Sequence, residues 1–317
     1  MHLFKKLLKK NSIIITDEEI KEYKSIKSIA KKRDIRKITI GTNSGNIKIL
    51  SHMYDGNIQL IKILFNGDKF TLKIPLIGYF QVKNLLMAIL AAFSSGLGKE
   101  KILNNIHKIK PVTGRLECLA NLKNNSNIIL DFAHTPEALE QSLIALKNQF
   151  SKKIILVFGC GGDRDKKKRF IMGKIANKYC HKVFVTDDNP RSENPKKIRK
   201  DIMKGLKNSK AKEIGNRKKA ILYALKNSDP YEVILIAGKG HETYQDLGKR
   251  KIFLSDRNIV KNLKNKNIYS NKQSNDLRYN GVILAKTLKN KKNYFFNGVS
   301  INSKTIKKNN LFIAVKG

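Results

Sequence analysis

The sequence lacks several features that define whole classes of protein. It has no tryptophan and only three cysteines, an odd number without C-x-x-C spacing. This argues against a disulfide framework or a zinc site and fits a reducing compartment, the cytoplasm. No apolar run approaches the about 20 residues that a membrane span needs. The apolar stretch after the basic start of the chain is too short for a signal peptide.

Acidic residues are also scarce, with 25 Asp and Glu against 65 Lys and Arg and a net charge of +40. Such a balance suggests a basic nucleic-acid-binding protein. Lysine supplies most of the positive charge, however, and it is spread over every segment without an RNP, zinc-finger or helix-turn-helix signature. We therefore expect a lysine-rich solvated surface and no specific nucleic-acid site, although an anionic substrate would still feel the positive field.

The chain contains no G-x-x-x-x-G-K-[ST] motif, the loop that grips nucleotide phosphates. Three glycine-containing stretches have some likeness to nucleotide loops, at residues 41–46, 159–162 and 238–240. The stretch at 159–162 lacks the G-x-G-x-x-G spacing, the stretch at 41–46 lacks the Lys-Ser/Thr pair, and the residue spacing at 238–240 is wrong for a phosphate loop. We expect a hairpin or loop at 41–46. At 159–162 we expect a loop whose glycines let Arg164 reach a ligand, or a tight strand-to-helix turn with Arg164 in solvent.

What the chain does have is a series of apolar runs, each followed at once by a polar loop. These units begin at residues 128, 154, 182 and 233. Strands followed by polar loops, alternating with helical patterns, predict one doubly wound sheet. The carboxyl ends of parallel strands share one edge, where open α/β sheets bind ligands. We therefore expect the four loops to form one ligand-binding rim.

The loop after residue 185 has the most distinctive chemistry, with the sequence Asp187-Asp188-Asn189-Pro190-Arg191. An arginine offers a planar fork to a carboxylate, and aspartates suit an ammonium. A ligand that needs both partners is an amino acid. Taken alone, the stretch is equally typical of an Asx-type turn closed by Asn-Pro.

The first predicted unit covers residues 1–112. Two strands, 58–65 and 70–74, flank Asn66-Gly67-Asp68, which is a hairpin signal. Apolar residues between 82 and 93 follow helical spacing and predict a helix that packs on them.

The second unit covers residues 113–262 and alternates strands with amphipathic helices. Asn194 followed by Pro195 predicts a helix start. A polar linker rich in Lys and Asn is predicted at 263–275, and the opening of a third domain at 276–317.

Five motifs in order resemble the Mur ligase family. They are Gly114-Arg115-Leu116-Glu117, Asp131-Phe132-Ala133-His134-Thr135-Pro136, the loop 159–165, Asp188-Asn189-Pro190-Arg191 and Gly238-Lys239-Gly240-His241-Glu242. The resemblance covers residues 1–262. The Asp-Asn-Pro-Arg form is similar to the branch of the family, MurE, that adds meso-diaminopimelate to UDP-N-acetylmuramoyl-L-alanyl-D-glutamate.

The resemblance implies an α/β protein with a remnant of the central ATP-binding domain at 1–112 and a Rossmann-like C-terminal domain at 113–262. It also implies ATP-dependent amide formation through an acyl phosphate, with ATP and Mg²⁺ as cofactors. Mg²⁺ would be held mostly outside this chain, and no residue here is assigned as a metal ligand. A related alternative is a folylpolyglutamate synthase-like ligase, against which Asp188-Asn189-Pro190-Arg191 argues. A non-catalytic amino-acid-binding module is a further alternative.

The resemblance also assigns residues to roles. His134 would lie toward the ATP phosphates as a catalytic residue. The nucleotide would be bound by Asn84, Arg115 and Asp131, with Gln81 departing from the asparagine usual in the family. Contacts to meso-diaminopimelate would come from Arg164, Asp188, Asn189, Pro190, Arg191, Gly238 and Glu242.

The last part of the chain carries a second resemblance. Residues 298–304 and 310–317 are similar to the start of a Mur ligase N-terminal domain, most of all that of the D-alanyl-D-alanine-adding branch, MurF. From this we expect an internal piece of a MurE–MurF fusion. We also expect it to be inactive alone, because the phosphate loop and the family's carbamylated lysine are missing from it.

Overall fold

The computed structural model describes residues 12–264, 298–300 and 310–312. The chain divides into two compact units, Met1–Tyr269 and Ser270–Gly317. The unit Met1–Tyr269 contains two large β-sheets. In the unit Ser270–Gly317, strand β14 at Gly298–Ser300 pairs in parallel with strand β15 at Asn310–Phe312. The third domain predicted at 276–317 otherwise lies outside the described residues, as does the linker.

The first sheet has five strands in the order β1-β2-β3-β4-β5. Strands β1 to β3 pair in parallel, and β3 to β5 pair antiparallel. The strand bounds are Ile13–Asp17, Arg36–Gly41, Ile47–Asp55, Ile58–Phe65 and Asp68–Ile74. The helices of this region are α1 at Tyr23–Lys32, α2 at Tyr79–Ser94 and α3 at Lys99–Leu103, followed by a 3₁₀ turn at Ile106–Lys108.

The loop at 41–46 is a loop between parallel strands, not a hairpin. Strands β2 and β3 run side by side in the same direction, with Ile40 opposite Ile47. The Asn46 side chain accepts a hydrogen bond from Thr39 N at 2.9 Å, and Asn46 N donates to Thr39 O at 2.8 Å. These bonds fold the loop back on β2, so the hairpin alternative for this segment is wrong.

The hairpin predicted around Asn66-Gly67 is confirmed. Asn66 has a φ of 49° and Gly67 a φ of 86°, the pair of positive values that a type I′ turn requires. The predicted helix is also present, as α2. It buries Val82, Leu86 and Ile89 against the first sheet.

The second sheet has six strands in the order β10-β9-β8-β11-β7-β6. All neighbours pair in parallel except β6 with β7. The strand bounds are Glu117–Asn121, Asn127–Leu130, Ile154–Phe158, Lys182–Val185, Ala211–Glu213 and Val233–Ile236. A short antiparallel ribbon follows, β12 at Tyr244–Asp246 with β13 at Lys251–Phe253.

Helices cover both faces of the six-stranded sheet. Alternate strand residues such as Leu156 and Val183 share one apolar cluster with helices α4, α5 and α6. Their neighbours, such as Ile155 and Phe184, share another with α7 and α8. The helix bounds are Pro136–Phe150, Lys167–Tyr179, Pro195–Met203, Arg217–Lys226 and Asp256–Lys264. Burial on both faces explains the continuous apolar runs and confirms the doubly wound α/β fold.

Side-chain caps fix where the helices leave the rim of this sheet. Thr135 accepts a hydrogen bond from Ala138 N, and Asn194 accepts one from Lys196 N, in each case with proline at the next position. The helix start predicted at Asn194-Pro195 is therefore confirmed. No helix in the described part of the chain is long and apolar enough to cross a membrane.

Candidate functional site

A cleft of about 600 Å³ opens at the carboxyl edge of the six-stranded sheet. Strands β8 and β11 are neighbours, but the helices that follow them lie on opposite faces. The loops that leave these strands therefore diverge, as at a topological switch point. Of the predicted ligand residues, six line the cleft: Arg164, Asp188, Asn189, Arg191, Gly238 and Glu242. His134 lines it as well.

Asp188 provides a carboxylate to the cleft, and hydrogen bonds hold this residue in place. It is 8% exposed, its Oδ1 accepts a hydrogen bond from Asn189 N at 2.7 Å, and its carbonyl accepts one from Gln245 Nε2 at 2.6 Å. Gly238, with a φ of 109°, lies so close that a Cβ there would be 2.7 Å from Asp188 Oδ2. Gly238 is therefore needed for the loop after β11 to approach this carboxylate.

Asp187 has a different environment. Its Oδ1 accepts a hydrogen bond from Nη1 of Arg199 on α6, and it does not line the cleft. Burial raises the pKa of the Asp187 carboxyl, against the opposing effect of Arg199. Of the two consecutive aspartates, only Asp188 lines the cleft, while Asp187 bonds Arg199.

Arg191 lies over the glycine loop after β8. Its backbone is left-handed, with a φ of 51°, and its Nη1 donates to Gly162 O at 2.7 Å. A Cβ at Gly161 would lie 2.8 Å from that Nη1, and one at Gly162 would lie 1.9 Å from Pro190 O. The glycines make room for the arginine, while Pro190 is buried and does not line the cleft.

Arg164 and Lys168 extend the positive side of the cleft. Arg164 is exposed, and its Nη1 donates only to the neighbouring carbonyl of Asp163, at 3.1 Å, among the bonds described. Lys168 Nζ donates to His134 O at 3.0 Å. An exposed guanidinium with a backbone partner can turn to a ligand carboxylate at little cost.

Glu242 lies on the negative side and is half-buried. Its Oε2 accepts hydrogen bonds from Asn189 Nδ2 at 3.0 Å and from Lys239 Nζ at 2.8 Å. Burial alone would raise the pKa of the Glu242 carboxyl, but these two bonds hold it below its ordinary value.

Lys239 is a residue that the sequence did not single out. It is fully buried, and a buried ammonium requires a partner. Glu242, three residues further along, is the signal that could have revealed it.

The residues predicted to contact ATP separate into two groups. His134 and Arg115 gather around Phe132: His134 Nδ1 lies 2.9 Å from Phe132 O, and the Arg115 guanidinium lies 4.6 Å from the ring centroid. Gly114 brings this loop against the loop after β11, because a Cβ there would lie 2.5 Å from His241 N. Arg115 is exposed and adjoins the cleft without lining it.

Asp131 and Asn84 are elsewhere. Asp131 is 5% exposed, and its two oxygens accept hydrogen bonds from Leu116 N at 3.1 Å and Ser142 Oγ at 2.6 Å. Asn84 is exposed on α2 and does not line the cleft. The structure therefore does not bring Asp131 and Asn84 together with the residues predicted to bind the amino-acid ligand.

The described residues contain one group of three possible metal ligands. It lies at the amino ends of the strands, opposite the carboxyl edge where the cleft opens. It consists of His181, Asp229 and Glu232, with His181 Nε2 2.7 Å from Glu232 Oε1. Lys182 Nζ lies 2.8 Å from Asp229 Oδ2 and already neutralises that carboxylate. Because this group lies away from the cleft, it is not a candidate for Mg²⁺ at the proposed site.

Two family models match the chain. Residues 1–92 match the Mur ligase middle domain, and residues 114–240 match the Mur ligase, glutamate ligase domain. The second match contains the strands and most of the loops that form the cleft.

Curated relatives agree with these matches. The chain is 41% identical over 262 residues to the UDP-N-acetylmuramoyl-L-alanyl-D-glutamate–2,6-diaminopimelate ligase of Rickettsia bellii, covering 82% of this chain and 54% of that protein. It is 46% identical over 215 residues to the ligase of the same name from Buchnera aphidicola, covering 67% and 43%. The chain thus spans about half the length of the curated relatives it matches.

A solved structure of a ligase with that name also matches. It shares 27% sequence identity and a TM-score of 0.60, covering 82% of this chain and 54% of the solved one. The matches at residues 1–92 and 114–240 together cover more than half of the chain, the relatives agree with them, and the chain belongs to the Mur ligase family.

Proposed function

We propose that this chain is part of a ligase that adds meso-diaminopimelate to UDP-N-acetylmuramoyl-L-alanyl-D-glutamate with ATP, in peptidoglycan precursor synthesis. The observation that carries the proposal is the charge pattern of the cleft. Arg164 and Arg191 line it together with Asp188 and Glu242. The names of the curated relatives support the same substrates.

The cleft suits a ligand with charges of both signs at each end. Meso-diaminopimelate has two carboxylates and two amino groups. Arg191 and Arg164 provide guanidinium groups for the distal carboxylate, and Arg191 can bond it with two parallel hydrogen bonds. Asp188 and Glu242 provide partners for the distal ammonium. The other amine must lose its proton before it attacks.

The proposed reaction has two steps. The γ-phosphoryl group of ATP passes to the substrate carboxylate, giving an acyl phosphate; the diaminopimelate amine then attacks the acyl carbon and phosphate leaves. Such a phosphoryl transfer depends on positioning and charge neutralisation. His134 and Arg115, which gather around Phe132 beside the cleft, are the proposed groups on the phosphate side. The proposed contacts of Asn84 and Asp131 with the nucleotide stay predictions.

Mg²⁺ is the metal that this chemistry uses, and it prefers several oxygen ligands in near-octahedral geometry. In residues 12–264, the cleft offers no group of three acidic or histidine ligands within reach of one ion. Mg²⁺ is usually held by one or two carboxylates together with waters and nucleotide phosphates, and the proposal assigns no residue of the described part of the chain as its ligand.

We further propose the domain boundaries predicted from the sequence, at 1–112, 113–262, 263–275 and 276–317. The two family models, which match on either side of residue 112, support the first boundary. The resemblance of residues 298–317 to the opening of a D-alanyl-D-alanine-adding ligase supports a fusion of two Mur ligases.

The proposal is tested by calorimetry with the purified chain and meso-diaminopimelate. We expect saturable binding of one ligand per chain. Binding that is absent, or equal for an unrelated neutral amino acid such as leucine, would overturn the assignment of the cleft.

A second assay addresses catalysis by the chain. With ATP and both substrates, we expect no phosphate release above background, because the sequence has no G-x-x-x-x-G-K-[ST]. Turnover comparable to that of a complete ligase would contradict this expectation.

A further inference from the structure

Lys239 is fully buried behind the negative wall of the cleft. It lies in the loop after β11, between two glycines with left-handed backbone, Gly238 at a φ of 109° and Gly240 at 51°. Lys239 does not line the cleft itself. Any effect on a ligand must therefore pass through the side chains that it contacts.

Those contacts are two side chains of the cleft wall. Lys239 Nζ donates to Glu242 Oε2 at 2.8 Å and to Asn189 Oδ1 at 3.0 Å. Asn189 Nδ2 donates to the same Glu242 Oε2 at 3.0 Å, and Asp246 N donates to Asn189 Oδ1 at 3.0 Å. The three side chains form a closed triangle fixed to the β12 backbone.

The triangle uses only one of the two carboxylate oxygens of Glu242. Both hydrogen bonds end on Oε2, so Oε1 is the oxygen that can turn to a ligand in the cleft. A carboxylate fixed by one oxygen keeps a single orientation, which lowers the entropy lost when a ligand ammonium binds to the other.

The hydrogen bonds of the triangle also favour the ionised form of Glu242. Burial favours the neutral carboxylic acid, and the bonds from Lys239 and Asn189 oppose it. The other charges that act on this cluster are His241 on the same loop and Arg217 on α7, which interacts with both Glu242 and Asp188. Tyr244 covers the ammonium, with its ring centroid 5.5 Å from Lys239 Nζ.

We propose that Lys239 is a positioning residue of the ammonium subsite, which keeps Glu242 ionised and directs its Oε1 into the cleft. The proposal rests on the proposed function for the identity of the ligand. A residue with a purely structural role would also be buried and bonded, so the test must measure the charge of Glu242 directly.

The first measurement needs no ligand. The chain is labelled with ¹³C at glutamate side-chain carboxyls, and the Glu242 signal is assigned by its loss in Glu242→Gln. Its titration is then followed in the wild type and in Lys239→Met and Lys239→Arg variants. We expect Glu242 in Lys239→Met to titrate at higher pH than in the wild type, and Lys239→Arg to stay near the wild type. An unchanged Glu242 titration in folded Lys239→Met would overturn the proposal.

The second measurement is meso-diaminopimelate binding between pH 5.5 and 8.5. At the low end we expect Lys239→Met to bind about tenfold to a hundredfold more weakly than the wild type. The loss should diminish as pH rises and Glu242 ionises. In a Glu242→Gln background, Lys239→Met should cause little further loss of meso-diaminopimelate affinity. A loss of the same size at every pH and in both backgrounds would show a structural role only and would overturn the proposal.

Lys182→Met is the matched control, because it removes a lysine at the opposite edge of the sheet. We expect it to leave binding and the Glu242 titration unchanged. A failure of this proposal can be distinguished from a failure of the proposed function. If the wild type binds no meso-diaminopimelate, the proposed function fails, while the ¹³C titration still decides whether Lys239 controls Glu242.

Discussion

The two edges of the six-stranded sheet have charged residues of the same types but use them differently. At the carboxyl edge, Glu242 is bonded by the side chains of Lys239 and Asn189, and a cleft of about 600 Å³ lies beside them. At the amino edge, Glu232 is 2% exposed, and its Oε2 accepts a hydrogen bond from the backbone N of Asp229 at 2.8 Å.

The hydrogen-bond partners of the polar groups also differ between the two edges. At the amino edge, Ser126 Oγ donates to Asp229 O at 2.9 Å and accepts from Glu232 N at 3.0 Å, so side chains close short connections onto backbone. At the carboxyl edge, side chains of different loops bond one another and leave space between the loops. We infer that the carboxyl edge is built to bind and the amino edge to hold the strands together.

The largest effect is expected from Arg217, whose ion pair lies beneath the carboxyl edge. Arg217 bonds Asp256 at 2.8 and 2.7 Å, both side chains are fully buried, and Nη2 also donates to Ala237 O at 2.9 Å. Arg217→Met leaves Asp256 buried without its partner and should lower the free energy of unfolding by about 3–5 kcal/mol. Urea denaturation followed by circular dichroism measures this loss.

Its counterpart at the amino edge is the exposed pair of Lys182 and Asp229, where the aspartate side chain is 71% exposed. Lys182→Met should cost less than about 1 kcal/mol. Similar losses for the two variants would contradict the contrast between a buried and an exposed pair.

A glutamate at each edge provides a sharper pair of variants. Glu232→Gln removes a buried charge that faces His181 and should lower the free energy of unfolding by about 1–3 kcal/mol without changing ligand binding. Glu242→Gln should do the opposite: it weakens meso-diaminopimelate and L-lysine alike, about tenfold or more, with a smaller effect on stability. Denaturation and calorimetry on both variants give the comparison.

The interpretation of the edges fails if the two glutamates behave alike. Loss of ligand binding in folded Glu232→Gln would also contradict it, since Glu232 does not line the cleft.

A smaller effect is expected from acid. A hydrogen bond from the fully buried Arg169 lowers the pKa of Glu193 below its ordinary value of 4.5. Lys204 and Arg169 likewise lower that of Asp201. Carboxyls with a lowered folded pKa stabilise the protein above the unfolded pKa, and the stabilisation is lost as pH falls through the folded pKa. Stability should therefore fall below about pH 4.5, and less steeply in Arg169→Met.

The strands around the cleft could be predicted from the sequence because they are buried on both faces. Strands β8 and β9 coincide with apolar runs at 154–158 and 182–185. Strands β1 and β2 were not predicted, since their apolar stretches are short and lie among lysines. The orientation of the loop at 41–46 depends on the Asn46 side chain, which sequence pattern does not reveal.

The site was predictable to the level of its loops but not of its bonds. Four polar loops after apolar runs identify the rim, and the structure brings their residues into one cleft. Asp187 and Asp188 are the same residue type, so the sequence could not show which of them lines the cleft. The structure distinguishes them because consecutive residues at the end of a strand point in different directions. The contacts of the buried Lys239 depend on the packing of the loop after β11 against the loop after β9, which is distant in sequence.

The measurement that tests the account most directly is the preference for meso-diaminopimelate over L-lysine, by competition calorimetry on the wild-type chain and Arg191→Ala. The two ligands differ by the distal carboxylate, which the Arg191 fork is proposed to bind. The account predicts a preference of about tenfold to a hundredfold in the wild type, most of it lost in Arg191→Ala and partly restored in Arg191→Lys. The same preference ratio in the wild type and in Arg191→Ala would contradict it.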